Sequence, residues 1–347
     1  MAKNTYYKDL KENQLARFNE YKNDMPYFAH DFLDEKRRTR QPATALAYAY
    51  DLMVFFEYLK DNNPDLKNCK IKDIPLSAVD SLDFRDINEY QDFLENSANF
   101  HNNTRAINRK MSALRGFYSY GCSHEILASN ATDGASKRID PKRNDITARL
   151  DNQEVQKLMS TVKNSDLPGR MAACAENTKL RDTAIITLFL GTGMRVSELV
   201  SLNISDFSFD NLELTVTRKG GKSMTLYYNE DVRDALISYI ELERPETEED
   251  ALFLSNRRTR ITVRSVERLV KKYASRISSK NISPHRLRKT YGTGLYEASG
   301  DIKLVADVLG HTSISVTSKH YIDQSERNRR FAGSVKLYQE DESPGRD

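Results

Sequence analysis

Residues 180–228 read LRDTAIITLFLGTGMRVSELVSLNISDFSFDNLELTVTRKGGKSMTLYY, and this stretch decides the fold. Leu180 to Leu190 is an apolar helix that Gly191, Thr192 and Gly193 interrupt, and a second helix starts at Arg195 and runs to Leu202. The pattern then changes period. LELTVT (Leu212 to Thr217) alternates every second residue, RKGGK (Arg218 to Lys222) supplies a turn, and SMTLYY returns. That is a β-hairpin with Lys219 at its tip, set among helices. The fold class is therefore mainly α with a small antiparallel β element. The glycine break also puts Arg195 at the positive dipole end of a new helix, where an anion is welcome, with Glu198 one turn on to orient its guanidinium.

Working outward, helical patterns follow at Glu230 to Leu242, Val263 to Arg276 and Pro284 to Ala298. Ser283 reads as the N-cap of the last of these, with Pro284 at its first turn. Asp301 to Leu309 is a further helix stopped by Gly310, and another from Ser313 carries Tyr321. Upstream, Thr44 to Lys60 is helical with Thr44 as its expected N-cap, and Pro75 to Asn96 holds a pair of short helices. Thr104 to Tyr120 is amphipathic, with Ile107, Met111, Leu114 and Phe117 on the apolar stripe and Arg105, Arg109 and Lys110 outside it. Ser129 to Arg149 is polar, basic and broken by Gly134 and Pro141, which reads as a linker. The expected domains are residues 1–128, the linker 129–149, and 150–347.

Two domains agree with a length of 347 residues. Lys plus Arg totals 53 against 50 for Asp plus Glu, a net charge of +3 that hides local separation of sign. Asn256 to Arg276 carries eight basic residues and one acid, whereas Glu241 to Asp250 is acidic. Basic runs on separate helices favour a phosphate-tracking surface over a merely solvated face. Cys69, Cys122 and Cys174 form no CxxC pair, which argues against a disulfide framework or a zinc knuckle and for a reducing cytoplasm. No apolar run is long enough to cross a bilayer and the first residues lack a secretory pattern, so no membrane partner is expected.

His285 and Arg288 lie three residues apart and share a helix face, able to address adjacent oxygens of one phosphate. Taken singly, each of these signals also describes a capping histidine, a structural ion pair or a solubilising lysine. Together, in the order Arg195, Lys219, His285-x-x-Arg288, His311 and Tyr321, the chain resembles the tyrosine recombinase (phage integrase) family. GTGMRVSELVSL, the RKGGK hairpin, SPHRLRKT and VLGHTSISVT carry the resemblance, and NTRAINRKMSALRGFYSY resembles that family's helical, SAM-like core-binding domain. The Xer-type recombinases, in particular the single-recombinase XerS branch, are similar over nearly the whole chain. Three departures stand out: Lys289 follows Arg288 where the family usually has a second His, Tyr321 follows His311 by ten residues rather than nine, and His320-Tyr321-Ile322-Asp323 replaces the common Tyr-Thr-His ending.

The resemblance implies strand cleavage by Tyr321 through a 3′-phosphotyrosyl intermediate, with no metal and no cofactor. It assigns Arg195 and Arg288 to the nonbridging oxygens, His285 and His311 to supporting hydrogen bonds, Lys219 to the leaving oxygen and Glu198 to support of Arg195. It implies a two-domain clamp on a double-stranded recombination site, with Arg37, Arg38, Thr44, Arg105, Arg109, Lys110 and Lys222 facing DNA. Four protomers would synapse two sites through exchange of C-terminal tails, in chromosome dimer resolution or in mobile-element integration and excision. A type IB topoisomerase uses a similar residue set and is the nearest rival activity.

Overall fold

The computed structural model describes residues 6–96, 103–136, 149–169, 172, 175–218, 221–277, 280 and 282–310. The chain divides into two compact units, Met1–Arg143 and Asn144–Asp347. It is mostly helical with one small sheet, as the sequence patterns require.

In the first unit the Pro42–Asn62 helix is central and packs against the Tyr6–Asn23, His30–Thr39 and Thr104–Ser123 helices. Ala45, Ala49, Leu52, Phe55, Phe56 and Leu59 are all buried, so this helix has neighbours on several sides. Phe117 from the Thr104–Ser123 helix meets Phe32 and Phe56 edge-on at centroid distances of 5.8 and 6.1 Å. Burying one such ring contributes about 1.5–3 kcal/mol, and the edge geometry adds about 0.5–1.5 kcal/mol. Thr44 is not the N-cap. The helix starts at Pro42 with Gln41 as cap, because proline's fixed φ suits the first turn and its missing N–H leaves no orphan donor there. Asn103 caps the Thr104–Ser123 helix by accepting from Ala106 N–H at 2.9 Å. The start of the basic polar stretch packs on this unit. Ala131 and Thr132 are buried, and Ser136 both accepts from Arg115 at 2.9 Å and donates to Asn88 at 2.8 Å.

In the second unit the Lys179–Thr192 helix is buried on nearly every face and packs against the Asn152–Lys163, Glu230–Leu242 and Pro284–Ser299 helices. Its N-terminal donors are met by Glu243, which accepts from Leu180 and Arg181 N–H at 2.7 and 3.0 Å. The sheet is antiparallel in the order β1 (Phe207–Ser208), β2 (Glu213–Thr217), β3 (Ser223–Tyr227). β2 and β3 are the expected hairpin, in the register Leu214 opposite Leu226 and Thr217 opposite Ser223. β1 is only two residues long, too short to show a period, and is found only through its pairing with Leu214. The Val263–Ala274 helix turns Val266, Leu269, Val270 and Tyr273 inward. No described helix is long and apolar enough to cross a membrane.

Candidate active site

The break after the Lys179–Thr192 helix is a left-handed cap at Gly193, with φ of 62°. A side chain there is excluded twice, by that φ and by the Tyr291 ring, which an added Cβ would strike. Arg195 then occupies the N-cap position of the Val196–Ser201 helix in extended conformation. Glu198, three residues on, accepts from the Arg195 backbone N–H at 2.8 Å and from its guanidinium at 2.7 Å. The carboxylate thus caps the helix and fixes the arginine together, near the positive end of the dipole. Its side chain is 2% exposed, against 38% for Arg195. The guanidinium is therefore held from behind and open in front.

The Ile302–Leu309 helix ends on Gly310, also left-handed at φ of 60°. Gly310 N–H caps Asp307 O at 2.8 Å, and guanidiniums gather on the last carbonyls of this end. Arg218 donates to Val308 O at 2.7 Å and to Asp307 O at 3.5 Å. Arg288 donates to Leu309 O and, at 2.7 Å, to Gly193 O. Arg195 donates to Gly310 O at 3.2 Å. Cations also suit the negative end of a helix dipole. Arg288 is buried, whereas His285, on the same Pro284–Ser299 helix, is exposed. The arrangement gathers three guanidiniums at one helix end, with one buried carboxylate, Glu198, beside Arg195 and Arg218, which leaves an excess of positive charge suited to a phosphate gaining charge as it reacts.

Of the expected chemical residues, Arg195, Glu198 and Arg288 come together here and His285 lies one turn from Arg288. Lys219, His311 and Tyr321 lie outside the described residues. Arg218 joins the cluster although its sequence gave no sign of it beyond adjacency to Lys219. Burial lowers the pKa of Arg218, Glu198 opposes this, and the like charge of Arg195 adds to it. Tyr273 is fully buried and donates its hydroxyl to Asp182 at 3.0 Å, with burial and that bond holding it as a phenol. Among the described residues no three His, Cys, Asp or Glu side chains gather as a metal cluster.

The expected DNA-facing residues divide. Arg37, Arg38, Thr44, Arg105 and Lys222 are exposed. Arg109 is 46% exposed, but its Nη1 is 2.7 Å from the buried Asp51. Lys110 is only 4% exposed, with its ammonium 5.6 Å from the Tyr50 ring centroid, so it is a core residue rather than one turned to a partner. Its charge misled because a long stem can bury along apolar surface. The Asn256 to Arg276 stretch divides likewise. Arg260 holds Val200 O, Leu202 O and Asn203 at 3.1, 3.0 and 2.7 Å, and Lys272 holds Asp182 at 3.0 Å, while Arg257, Arg258, Arg264 and Arg268 are exposed.

Comparison with known proteins adds to this geometry. The phage integrase family model matches residues 148–328, and the phage integrase N-terminal SAM-like domain model matches residues 30–124. Tyrosine recombinase XerC of Caldanaerobacter subterraneus subsp. tengcongensis is 35% identical over 302 residues, covering 83% of this chain and 80% of that protein. Tyrosine recombinase XerS of Streptococcus equi subsp. equi is 29% identical over 348 residues, covering 90% and 97%. Among solved structures, the fold is similar to XerH recombinase bound to palindromic difH substrate in a post-cleavage complex. That match has 21% identity and a TM-score of 0.61, covering 87% of this chain and 82% of that one. It is also similar to the Tn1549 transposon integrase in complex with transposon right end DNA, with 19% identity and a TM-score of 0.64, covering 89% and 99%.

Proposed function

The chain belongs to the phage integrase family and is a tyrosine-type site-specific recombinase, and on that premise we propose that it cuts and rejoins double-stranded DNA with Tyr321 as nucleophile. The Tyr321 phenol oxygen forms a bond to phosphorus, the bond from phosphorus to the 5′-oxygen breaks, and the protein is left joined to the 3′-phosphate. The phenol proton passes to His285, and Lys219 gives a proton to the departing 5′-oxygen, a role worth about 10²–10⁴-fold. Arg195 and Arg288 hydrogen-bond the nonbridging oxygens, with His311 beside them. A 5′-hydroxyl from a second strand reverses the step, so the phosphodiester's energy is conserved and no metal is required. The observation that carries this reading is the Arg195–Glu198–Arg288 assembly, built from two separate segments around the end of a third.

The partner is a DNA recombination site, on which four protomers assemble through exchange of their C-terminal tails. Arg37, Arg38, Thr44, Arg105 and Lys222 face its backbone. The residue ranges 1–128, 129–149 and 150–347 serve as core-binding domain, linker and catalytic domain. The XerC and XerS relatives favour chromosome dimer resolution in the cytoplasm as the setting.

Incubation with a nicked site should trap a covalent protein–DNA adduct that disappears in Tyr321→Phe. An adduct that survives this substitution assigns the nucleophile elsewhere. Relaxation of a supercoiled plasmid lacking any specific site would favour a type IB topoisomerase instead. Binding sites mapped beside a replication terminus would support chromosome resolution, and sites at element ends would support integration and excision.

A further inference from the structure

An arginine at the base of a hairpin turn is ordinarily a solvated side chain, but Arg218 is 11% exposed. Its Nη atoms are engaged by the Asp307 and Val308 carbonyls, and its Nε lies 3.9 Å from Glu198, the carboxylate that holds Arg195. Its main chain is fixed as well. Arg218 N–H donates to Lys222 O at 2.8 Å, and its carbonyl accepts from Gly221 N–H at 3.0 Å, which closes the turn. Gly310 makes room for this anchor, since a Cβ there would collide with the Arg218 guanidinium. Backbone and side chain together therefore tie β2 to the end of the Ile302–Leu309 helix. A lysine offers a point charge and cannot span two carbonyls with a planar fork.

We propose that Arg218 is a positioning residue for protonation of the leaving group: it pins the chain at the end of β2, immediately before Lys219, to the Ile302–Leu309 helix end. The inference rests on the recombinase reading above. Arg218 acts through its neighbour: its guanidinium is 11% exposed and lies against the Asp307 and Val308 carbonyls, so its loss should resemble loss of the acid rather than loss of a phosphate clamp. In the step concerned, the bond from phosphorus to the 5′-oxygen breaks and that oxygen takes a proton from the Lys219 ammonium.

The test compares an all-oxygen DNA site with one carrying a 5′-bridging sulfur, because sulfur leaves as a thiolate and needs no proton. On the oxygen substrate Arg218→Ala is expected to slow single-turnover cleavage by about 10²-fold, within the range of a lost general acid. On the sulfur substrate its rate should return to near that of the wild type, as should that of Lys219→Ala, while Arg195→Ala stays slow on both. Arg218→Lys, which keeps the charge, should be intermediate on oxygen and normal on sulfur. If Arg218→Ala does not fold, as judged by lost DNA binding, Arg218→Lys carries the same comparison. Equal slowing on both substrates, or no slowing on oxygen, overturns the proposal. A wild-type protein that forms no adduct on either substrate would sink the recombinase reading itself, an outcome separate from any behaviour of Arg218, and would take the proposal with it.

Discussion

Both units bury a carboxylate beside arginine, and they treat it differently. In the second unit Asp182 is fully buried and accepts from Arg181 at 2.9 Å, Lys272 at 3.0 Å, Tyr273 at 3.0 Å and Thr178 at 3.3 Å. Glu198 is similarly enclosed and serves Arg195 twice. In the first unit Asp51 has the half-exposed Arg109 at 2.7 Å on one oxygen, while the other oxygen, Oδ1, is buried with no hydrogen-bond partner. Burial pushes the Asp51 carboxyl up to about 6, against the pull of Arg109 and Lys110. Arg109 does not win because it shares its charge with water, and a screened attraction offsets little of the desolvation. A carboxylate met on all sides is a strut; one met on a single side becomes a group that answers to pH.

The largest effect should come from emptying the enclosed site. Asp182→Ala leaves Arg181 and Lys272 facing an uncompensated hole and should cost about 3–5 kcal/mol of stability. Chemical denaturation measures this, and a loss below about 1 kcal/mol would break the distinction between strut and responder. Next, Glu198→Gln keeps the shape but weakens the grip on Arg195. Single-turnover cleavage should fall about 10²-fold through misplacement, with DNA affinity nearly unchanged; a loss confined to affinity would remove Glu198 from the orienting role.

The third effect lies on the responsive side. The folded Asp51 holds its proton more tightly than the unfolded one. Its stabilising contribution is therefore full below about pH 4 and is lost as pH rises through about 6. Relative to Asp51→Asn, the wild-type first unit should lose roughly 1–3 kcal/mol between those limits. Amide exchange across that pH range checks the slope, and parallel curves for the two proteins would mean that Asp51 is as well met as Asp182. The smallest effect concerns DNA. Arg105→Gln should reduce the log–log salt slope of binding by about 0.9, and Arg109→Gln should reduce it less because Asp51 already holds that charge. Equal slopes would make the Asp51 pair irrelevant to binding.

The contrast also marks how far the sequence could be read. Helix 104–123 was legible from its apolar stripe, and Arg195 with Glu198 from their spacing after a glycine break. Lys110 was not legible, because its burial is set by the Pro42–Asn62 helix across from it and by the ring of Tyr50. Thr44 looked like a cap because threonine commonly is one, and Pro42 took the helix start instead. Within the basic run 256–276, nothing local distinguishes Arg260, spent on the carbonyls of Val200 and Leu202, from the exposed Arg257 beside it in type and spacing.

Period, glycine breaks and the ordered set of Arg, Lys, His, Arg, His and Tyr are properties of the chain alone, and they determined the fold class and the chemistry expected of it. Which cations are available to a substrate was decided only by the tertiary structure. A guanidinium has the same charge wherever it stands in a sequence. Whether it faces solvent, a carboxylate or the open end of a helix depends on elements that meet it from tens of residues away, as the Ile302–Leu309 helix meets Arg218, Arg288 and Arg195.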